Sequence, residues 1–242
     1  MNAALRERLI PRMAACGSLT VRIEGETARL RCSGAMWLPE HGVLVAGDLH
    51  LEKGSAFAAR GQMLPPYDSR ATLDRLEAEI AILSPRAVVL LGDSFHDTRS
   101  IGRMAAEDRA RLDVMAGGRD WVWVEGNHDR EALLAPSPLP GVVVESLTIG
   151  ALTLTHEPLP EPHPGEVAGH LHPCARVVRH GRGVRRACFL TDGRRIILPA
   201  FGAFTGGLSV RDPAFHGMFE HPPMAAALGR DRVHALPWSA VG

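Results

Sequence analysis

Residues 43–50 read VLVAGDLH, and this stretch decides the fold. The aliphatic run of residues 43–46 predicts a short buried strand of the parallel type, because it is apolar on both faces and stops at a turn residue. Asp48 and His50 follow the strand directly. Ligands in open α/β sheets gather beyond the carboxyl ends of the strands, so these two side chains are candidates for a functional site. An Asp-x-His triplet arises often by chance, and its meaning depends on the rest of the chain.

The same pattern recurs four more times. Apolar, strand-like runs cover residues 87–91, 121–124, 152–155 and 167–169, and residues that can ligate a metal follow each of them. The candidate ligands after all five runs are Asp48, His50, Asp93, Asn127, His128, His156, His170 and His172. Nitrogen and oxygen donors without a thiolate suit manganese, iron or zinc. Two such ions about 4 Å apart can hold both the attacking and the leaving oxygen of a phosphoryl group.

The other segments predict an α/β chain. Period-two alternation indicates a hairpin over residues 19–32, and apolar stripes predict helices over residues 68–83 and 101–115. The second half predicts successive strands without long helices between them. We expect one domain over all 242 residues, with residues 1–18 as an amino-terminal helical extension and residues 213–242 as a carboxyl-terminal tail.

Composition excludes several classes of protein. The 27 basic and 27 acidic residues cancel, so no net charge argues for or against nucleic acid. The four cysteines form no Cys-x-x-Cys pair, which argues against a zinc ribbon or a redox motif. No secretory signal and no apolar run of about 18 residues is present. We therefore expect a cytoplasmic protein that does not enter a membrane.

Taken together, the five blocks resemble those of the calcineurin-like metallophosphoesterases. These blocks are Asp-x-His, Gly-Asp, Gly-Asn-His-Asp, a lone His and Gly-His-x-His, and all stand in order within residues 47–172. The resemblance implies an α/β sandwich of two mixed β-sheets flanked by helices, with a dinuclear metal site at the strand ends. It implies that Asp48, His50 and His172 hold the first metal, that Asn127, His156 and His170 hold the second, and that Asp93 bridges them.

The resemblance also implies roles in catalysis. A metal-bridging hydroxide attacks phosphorus in line, and His128 contacts the developing or departing charge. We expect Asn127, His128 and Lys53, the only lysine of the chain, to contact substrate. Related phosphoprotein phosphatases have an Asp three residues after the bridging Asp and then an Arg, whereas this chain has His96 and Asp97 there. The missing arginine argues against a protein phosphatase, and whether His96 or Asp97 supports His128 stays open.

A closer resemblance covers residues 35–210 and is to the bacterial ligase-associated DNA damage response endonucleases. It implies a manganese-dependent phosphodiesterase, with iron or zinc as the other candidate metals, that cleaves DNA in DNA repair. It also implies functional association with a DNA ligase, a helicase and an exonuclease, and a homodimer is a further expectation. One alternative is a hydrolase of small phosphate compounds, such as nucleotides or cyclic nucleotides, that uses the same site. Another is a metal-free scaffold that binds protein.

Three features outside the ligand blocks have two interpretations each. Glu52 and Lys53 are either a solvated pair or part of the rim of the site, and the glycine-rich residues 201–207 are either a site-lining loop or a tight turn. The basic segment after His172 either contacts a nucleic-acid backbone or is a solvated face. Its members are Arg176, Arg179, Arg182, Arg185, Arg186, Arg194 and Arg195. The histidines outside the blocks are expected not to bind metal: His41, His163, His180, His216, His221 and His234.

Overall fold

The structure is a computed structural model that describes residues 11–62, 67–128, 133, 139–179 and 182–241. These residues form two mixed β-sheets that pack face to face, together with four α-helices and two short 3-10 helices. The predicted sandwich of two mixed sheets is confirmed. It places the loops after the central strands of both sheets at one edge.

The first sheet has eight strands that lie side by side in the order in which they occur in the chain. Strands β1 to β5 are antiparallel neighbours, whereas β5 to β8 are parallel, as expected for the aliphatic run that opens the site. The strands are β1 (Arg12–Met13), β2 (Leu19–Ile23), β3 (Glu26–Leu30), β4 (Met36–Leu38), β5 (Val43–Ala46), β6 (Ala87–Leu91), β7 (Asp120–Val124) and β8 (Val142–Val144).

The second sheet takes its strands from the second half of the chain. They are β9 (Leu147–Ile149), β10 (Leu152–Thr155), β11 (Glu166–Ala168), β12 (Cys174–Arg179), β13 (Arg182–Thr191), β14 (Ile196–Ile197), β15 (Met224–Leu228) and β16 (Val233–Pro237). The order across the sheet is β16-β15-β13-β14-β11-β10-β9, and β12 forms a hairpin with β13. Strands β10, β11 and β14 run parallel, so the ends of β10 and β11 deliver their following loops to the same edge.

The helices lie on the first sheet. They are α1 (Lys53–Ala58), α2 (Asp68–Leu83), α3 (Ser100–Arg103) and α4 (Ala106–Ala116). Helix α2 has the predicted bounds, but the helix predicted over residues 101–115 is two helices, because Met104 and Ala105 are extended. Helix α1 is a further helix, which begins three residues after His50 and lies outside the two predicted helices.

Three apolar layers hold the sheets and helices together. Valine, leucine and isoleucine side chains from both sheets fill the space between them, for example Val45, Val89 and Leu154. The other face of the first sheet packs on α2 and α4. The outer face of the second sheet is covered by residues such as Phe215 and Met218. Burial on both faces explains why the β5 and β6 sequences lack period-two alternation.

The two ends of the chain differ from our predictions. Arg12 and Met13 pair with β2 as strand β1, so this part of the predicted extension is not helical, and residues 1–10 lie outside the described residues. Residues 213–242 are not a tail, because β15 pairs with β13 and is buried within the second sheet. The sequence MAAAL at β15 has no strand-like pattern, and its pairing with β13 and β16 imposes the extended conformation. No helix in the described part of the chain is long and apolar enough to cross a membrane.

Candidate metal centre

The candidate site begins where β5 and β6 end. These two strands are parallel and in register, with Ala46 opposite Leu90, so their following loops leave the sheet side by side. The Asp48 N–H donates to the carbonyl of Gly92 (3.1 Å), and the His50 N–H donates to that of Asp93 (2.9 Å). The first two ligand blocks are therefore joined through their backbones before any side chain is considered.

Several residues of these loops have left-handed backbone conformations. The φ angles are +57° at Asp48, +45° at His50, +46° at Asp93, +65° at His170 and +46° at His172. For a residue with a Cβ this conformation costs about 1–2 kcal/mol. Such strain is typical of functional sites, where the surrounding structure holds a side chain in an orientation that an unstrained backbone would not allow.

Two glycines allow the loops to approach each other closely. A Cβ built on Gly92 lies 2.3 Å from Nδ1 of His156, and one built on Gly169 lies 2.4 Å from Oδ2 of Asp48. The glycines of the Gly-Asp and Gly-His-x-His blocks are therefore needed because another ligand residue occupies the position of their missing side chains.

The first group of candidate ligands consists of Asp48, His50 and His172, three side chains that the structure brings together. One donor atom from each lies within 4.8 Å of the others. His172 Nε2 is 3.0 Å from Oδ1 of Asp48 and 3.4 Å from Nε2 of His50. Asp48 is fully buried, and both of its oxygens accept the backbone N–H of His170 (3.2 and 3.0 Å).

The second group consists of Asp93, His156 and His170. Nε2 of His156 lies 3.4 Å from Oδ1 of Asp93 and 3.3 Å from Nδ1 of His170. The other ring nitrogen of His156 donates to the carbonyl of Leu91 (3.2 Å), which fixes the orientation of the ring. A donor atom from each of the three lies within 4.8 Å of the others.

Asp93 lies between the two groups. Its Oδ1 faces His156, and its Oδ2 is 4.0 Å from Nε2 of His50 and 3.8 Å from Nε2 of His128. The two groups also approach each other at Asp48, whose Oδ1 is 3.8 Å from Nδ1 of His156. One buried carboxylate with an oxygen towards each group is the arrangement that a bridging ligand requires.

The buried charges perturb one another. Burial alone would raise the pKa of Asp93, but the hydrogen bond and charge of His156 hold it well below its usual value. Burial alone would lower the pKa of His156, whereas Asp93 and Asp48 raise it to about 9. Burial lowers the pKa of His50 to about 4. The centre therefore favours a positive charge between its carboxylates, and in the metal-free protein a proton on His156 supplies that charge.

The donor set fits divalent metal ions. Nε2 of His50 and Nε2 of His172 face each other, and the low pKa of His50 keeps its ring neutral at pH 7. Within the described part of the chain, Nδ1 of His50 is buried without a hydrogen-bond partner. Imidazole nitrogens and carboxylate oxygens that converge in this way match manganese, iron and zinc. Because the donors must lose protons to bind, metal uptake would release the proton of His156.

The other predicted site residues lie around the mouth of this centre. The His128 N–H donates to Oδ1 of Asp93 (3.0 Å), and its side chain is 60% exposed. Asn127 precedes it and is exposed. His96 lines the same cleft as His128. Asp97 instead accepts hydrogen bonds from Arg103 (2.8 Å) and from neighbouring N–H and O–H groups, so it holds α3 in place.

Glu52 and Lys53 are not a solvated pair. Glu52 is buried, and its carboxylate accepts from the hydroxyls of Ser55 (2.6 Å) and Ser69 (2.9 Å), which ties the start of α1 to α2. Lys53 lines the cleft, and its Nζ donates to the carbonyl of Phe204 (3.2 Å). Sequence reasoning missed the structural role of Glu52, for which the position directly after the first ligand block was the available signal.

The cleft above the centre has a volume of about 440 Å³. Thr205, Gly206 and Gly207 form one wall, so the glycine-rich segment is a site-lining loop. Its backbone is anchored to the first ligand block, because the Phe201 and Gly202 N–H groups donate to the carbonyls of Gly47 and Asp48. These two bonds attach the start of the loop to the end of β5.

Two members of the basic segment do not form a solvent-facing stripe. Arg195 is 1% exposed, pairs with Glu166 and donates to three backbone carbonyls. Arg194 pairs with Glu24 and Glu220. For Arg195 both alternatives raised by the sequence are excluded, whereas Arg194 is partly exposed and bonded to two carboxylates.

Comparisons with known proteins agree with this geometry. The family model described as calcineurin-like phosphoesterase matches residues 41–181, more than half of the chain. The crystal structure of the Pseudomonas putida nuclease MPE is similar, with 29% identity and a TM-score of 0.70 over 90% of this chain and 100% of that one. Yfce, a phosphoesterase from E. coli, is 18% identical, with a TM-score of 0.39 over 83% of this chain and 99% of that one. No curated protein matches the chain.

Proposed function

The chain belongs to the calcineurin-like phosphoesterase family, and on that basis we propose that it is a dinuclear metal-dependent phosphodiesterase with DNA endonuclease activity. The observation that carries the proposal is the convergence of two three-residue donor groups on Asp93 at the edge of the sandwich. The similarity to a nuclease favours a nucleic acid as the substrate.

In this proposal the first metal is held by Asp48, His50 and His172, and the second by His156 and His170 with the amide of Asn127. Asp93 is the shared ligand. When bound, two divalent ions supply Lewis-acid activation of a water and neutralise the charge that develops on the phosphoryl oxygens. Manganese is our first candidate metal, with iron and zinc as the others.

The protein groups prepare the reaction in three ways. Asp93 and Asp48 concentrate negative charge beneath the cleft, and burial keeps that charge poorly screened. His156 is fixed by Leu91 so that Nε2 points at Asp93. His128 stands exposed at the mouth of the cleft with Nε2 near the same carboxylate, where it can contact the substrate and protonate a departing alkoxide. Histidine suits this task because its pKa ordinarily lies near neutral pH.

The proposal assigns supporting roles to the rim. His96 lines the cleft beside His128, so we propose His96 rather than Asp97 as the residue that acts with it. Lys53 lines the cleft as the cation closest in sequence to the first ligand block, and we propose that it contacts substrate phosphate. A role in DNA repair, the association with a ligase, a helicase and an exonuclease, the homodimer and the cytoplasmic location stay predictions.

The test is hydrolysis by metal-depleted protein to which manganese, iron, zinc or magnesium is returned. Substrates are an aryl phosphodiester, plasmid DNA, oligonucleotides and nucleotides. We expect manganese to restore cleavage of the diester and of DNA, and Asp93→Asn to lower it more than about 100-fold together with the metal content. Asp113→Asn, the same substitution at an exposed position of α4, is the matched control. If manganese-loaded protein hydrolyses no diester, or if Asp93→Asn keeps both metal and activity, the proposal is wrong.

Activity on nucleotides that exceeds activity on DNA at every salt concentration would instead support the small-phosphate hydrolase. A polymer bound through several phosphates loses affinity steeply as salt rises, whereas a nucleotide does so weakly. The salt series therefore separates the two substrate classes on the same protein preparation.

A further inference from the structure

The hairpin of β12 and β13 carries two arginines directly opposite each other. Arg176 on β12 is in register with Arg185 on β13, and both side chains are exposed. Residues directly opposite in an antiparallel pair point to the same face, with Cβ atoms about 4.5–5.5 Å apart. The two positive charges therefore share one face of the hairpin.

Within the part of the chain that the structure describes, these two charges are not compensated by carboxylates. Among the described residues, no carboxylate forms an ion pair with Arg176 or Arg185, whereas Arg103, Arg111 and Arg194 are each paired. Like charges placed directly opposite destabilise a β-ladder. A surface that maintains such a pair without counter-charges is suited to an anionic ligand that bridges the two guanidinium groups.

The pair lies beside the catalytic cleft. The guanidinium of Arg185 donates to the carbonyl of Gly207, which belongs to the loop that lines the cleft. The Arg176 side chain extends the other way, over Gly183, where a built Cβ would lie 2.7 Å from its Nε. The two guanidinium groups are therefore spread along the hairpin, one at the edge of the cleft and one farther from it.

We propose that Arg176 and Arg185 bind successive phosphates of a nucleic-acid strand whose scissile phosphate lies in the cleft. The inference rests on the proposed function and makes the substrate a polymer of several nucleotides. Arginine binds phosphate oxygens with two parallel N–H donors, and backbone contacts of this kind supply affinity without sequence preference. Such contacts add nothing for a substrate with a single phosphate.

The hairpin also provides a matched control. Arg186 is exposed and immediately follows Arg185, but it lies opposite Ala175 and therefore on the other face. On that face, Arg186 lines a groove together with Val177, Val184 and Leu236, and this groove is separate from the cleft. Arg186→Gln removes the same charge from the same β-strand without altering the proposed path of the nucleic acid.

The test compares Arg176→Gln, Arg185→Gln and Arg186→Gln in the 242-residue chain loaded with manganese. The Michaelis constant is measured for oligonucleotides of increasing length over a salt series, and for an aryl phosphodiester as a reference for the cleft itself. For a long oligonucleotide, we expect KM to rise about fivefold in each of the first two variants. The slope of log KM against log salt should fall by about 0.7 for each lost phosphate contact to a single strand. The increase in KM should grow with oligonucleotide length and exceed any change in KM for the aryl diester.

Two outcomes would overturn the inference while leaving the proposed function intact. In the first, Arg176→Gln and Arg185→Gln cleave long oligonucleotides with the wild-type KM and salt slope. In the second, Arg186→Gln raises the KM for long oligonucleotides as much as Arg176→Gln and Arg185→Gln do. That result would attribute the effect to the general surface charge of the hairpin. A wild-type protein that hydrolyses no phosphodiester at all would contradict the proposed function, and the inference with it.

Discussion

Replacing Gly92 by alanine tests how the candidate centre is held together. Gly92 has a φ of +71°, and a built Cβ lies 2.3, 2.4 and 2.5 Å from three atoms of His156. Two separate costs follow. An alanine in the left-handed region costs about 1–2 kcal/mol relative to glycine, and forcing an extra carbon into a packed site costs about 1–3 kcal/mol more. The sum predicts a loss of about 2–5 kcal/mol in the free energy of unfolding.

Gly118 separates the two costs. Its φ of +74° is almost the same as that of Gly92, but nothing lies within 4 Å of a built Cβ. Gly118→Ala should therefore lose only the backbone cost of about 1–2 kcal/mol. The assay is urea unfolding of both metal-depleted variants, followed by tryptophan fluorescence, together with metal titration of the refolded proteins.

We expect Gly92→Ala to be less stable than Gly118→Ala and to bind metal more weakly, because His156 must leave its bonds to Leu91 and Asp93. Equal losses in the two variants would refute the close packing of Gly92 on His156. Normal metal affinity in Gly92→Ala would refute the view that this glycine positions a ligand.

Two further predictions concern buried charges. Asp48→Ala should lower the amount of metal bound by both groups, because the Asp48 carboxylate also holds the backbone of His170. After dialysis, the metal-to-protein ratio of Asp48→Ala should be lower than that of His50→Ala. Equal ratios in the two variants would contradict this prediction. Arg195→Met should lower the free energy of unfolding by about 3–5 kcal/mol, because it leaves Glu166 buried without its cation. Thermal unfolding at constant pH measures this loss. A decrease of less than about 1 kcal/mol would contradict the prediction.

The prediction for Asp48 differs from what the sequence implied. The ligand blocks alone predict that losing Asp48 empties or weakens the first group and leaves the second largely formed. The structure adds two hydrogen bonds from Asp48 to the loop that carries His170, a ligand of the second group. Ligand spacing identifies which residues can share a metal, but it carries no information about backbone contacts between loops 122 residues apart.

The sequence predicts the core of the fold well where local signals agree with tertiary structure. The runs at β5, β6 and β7 are apolar on both faces, as is typical of the buried central strands of a parallel sheet. Once these strands are parallel, their ends must meet at one edge, which predicts a shared site there. The division of the ligands into two groups came instead from the resemblance to a known family.

The remaining differences come from residues whose surroundings are set by distant segments. Asp97 follows a ligand block and resembles a catalytic carboxylate, yet Arg103 binds it from the next helix. Arg195 belongs to a basic run, yet Glu166 from a neighbouring strand keeps it in the interior. The alanines of β15 have no preference for a strand, and pairing with β13 decides their conformation. In each case the deciding partner is a tertiary contact with no signal at the residue itself.

The chain-order arrangement of the first sheet has a consequence for folding during synthesis. Each of its eight strands pairs with the strand made just before it, so the sheet can be assembled progressively as the chain leaves the ribosome. The second sheet cannot, because β13 needs β15, which is made more than 30 residues later. Asp48, His50 and Asp93 are therefore in place before His156, His170 and His172 arrive. We expect a nascent chain that ends near residue 150 to present Asp48, His50, Asp93 and the proposed ligand Asn127 without a closed centre, and metal capture to mark the last stage of folding.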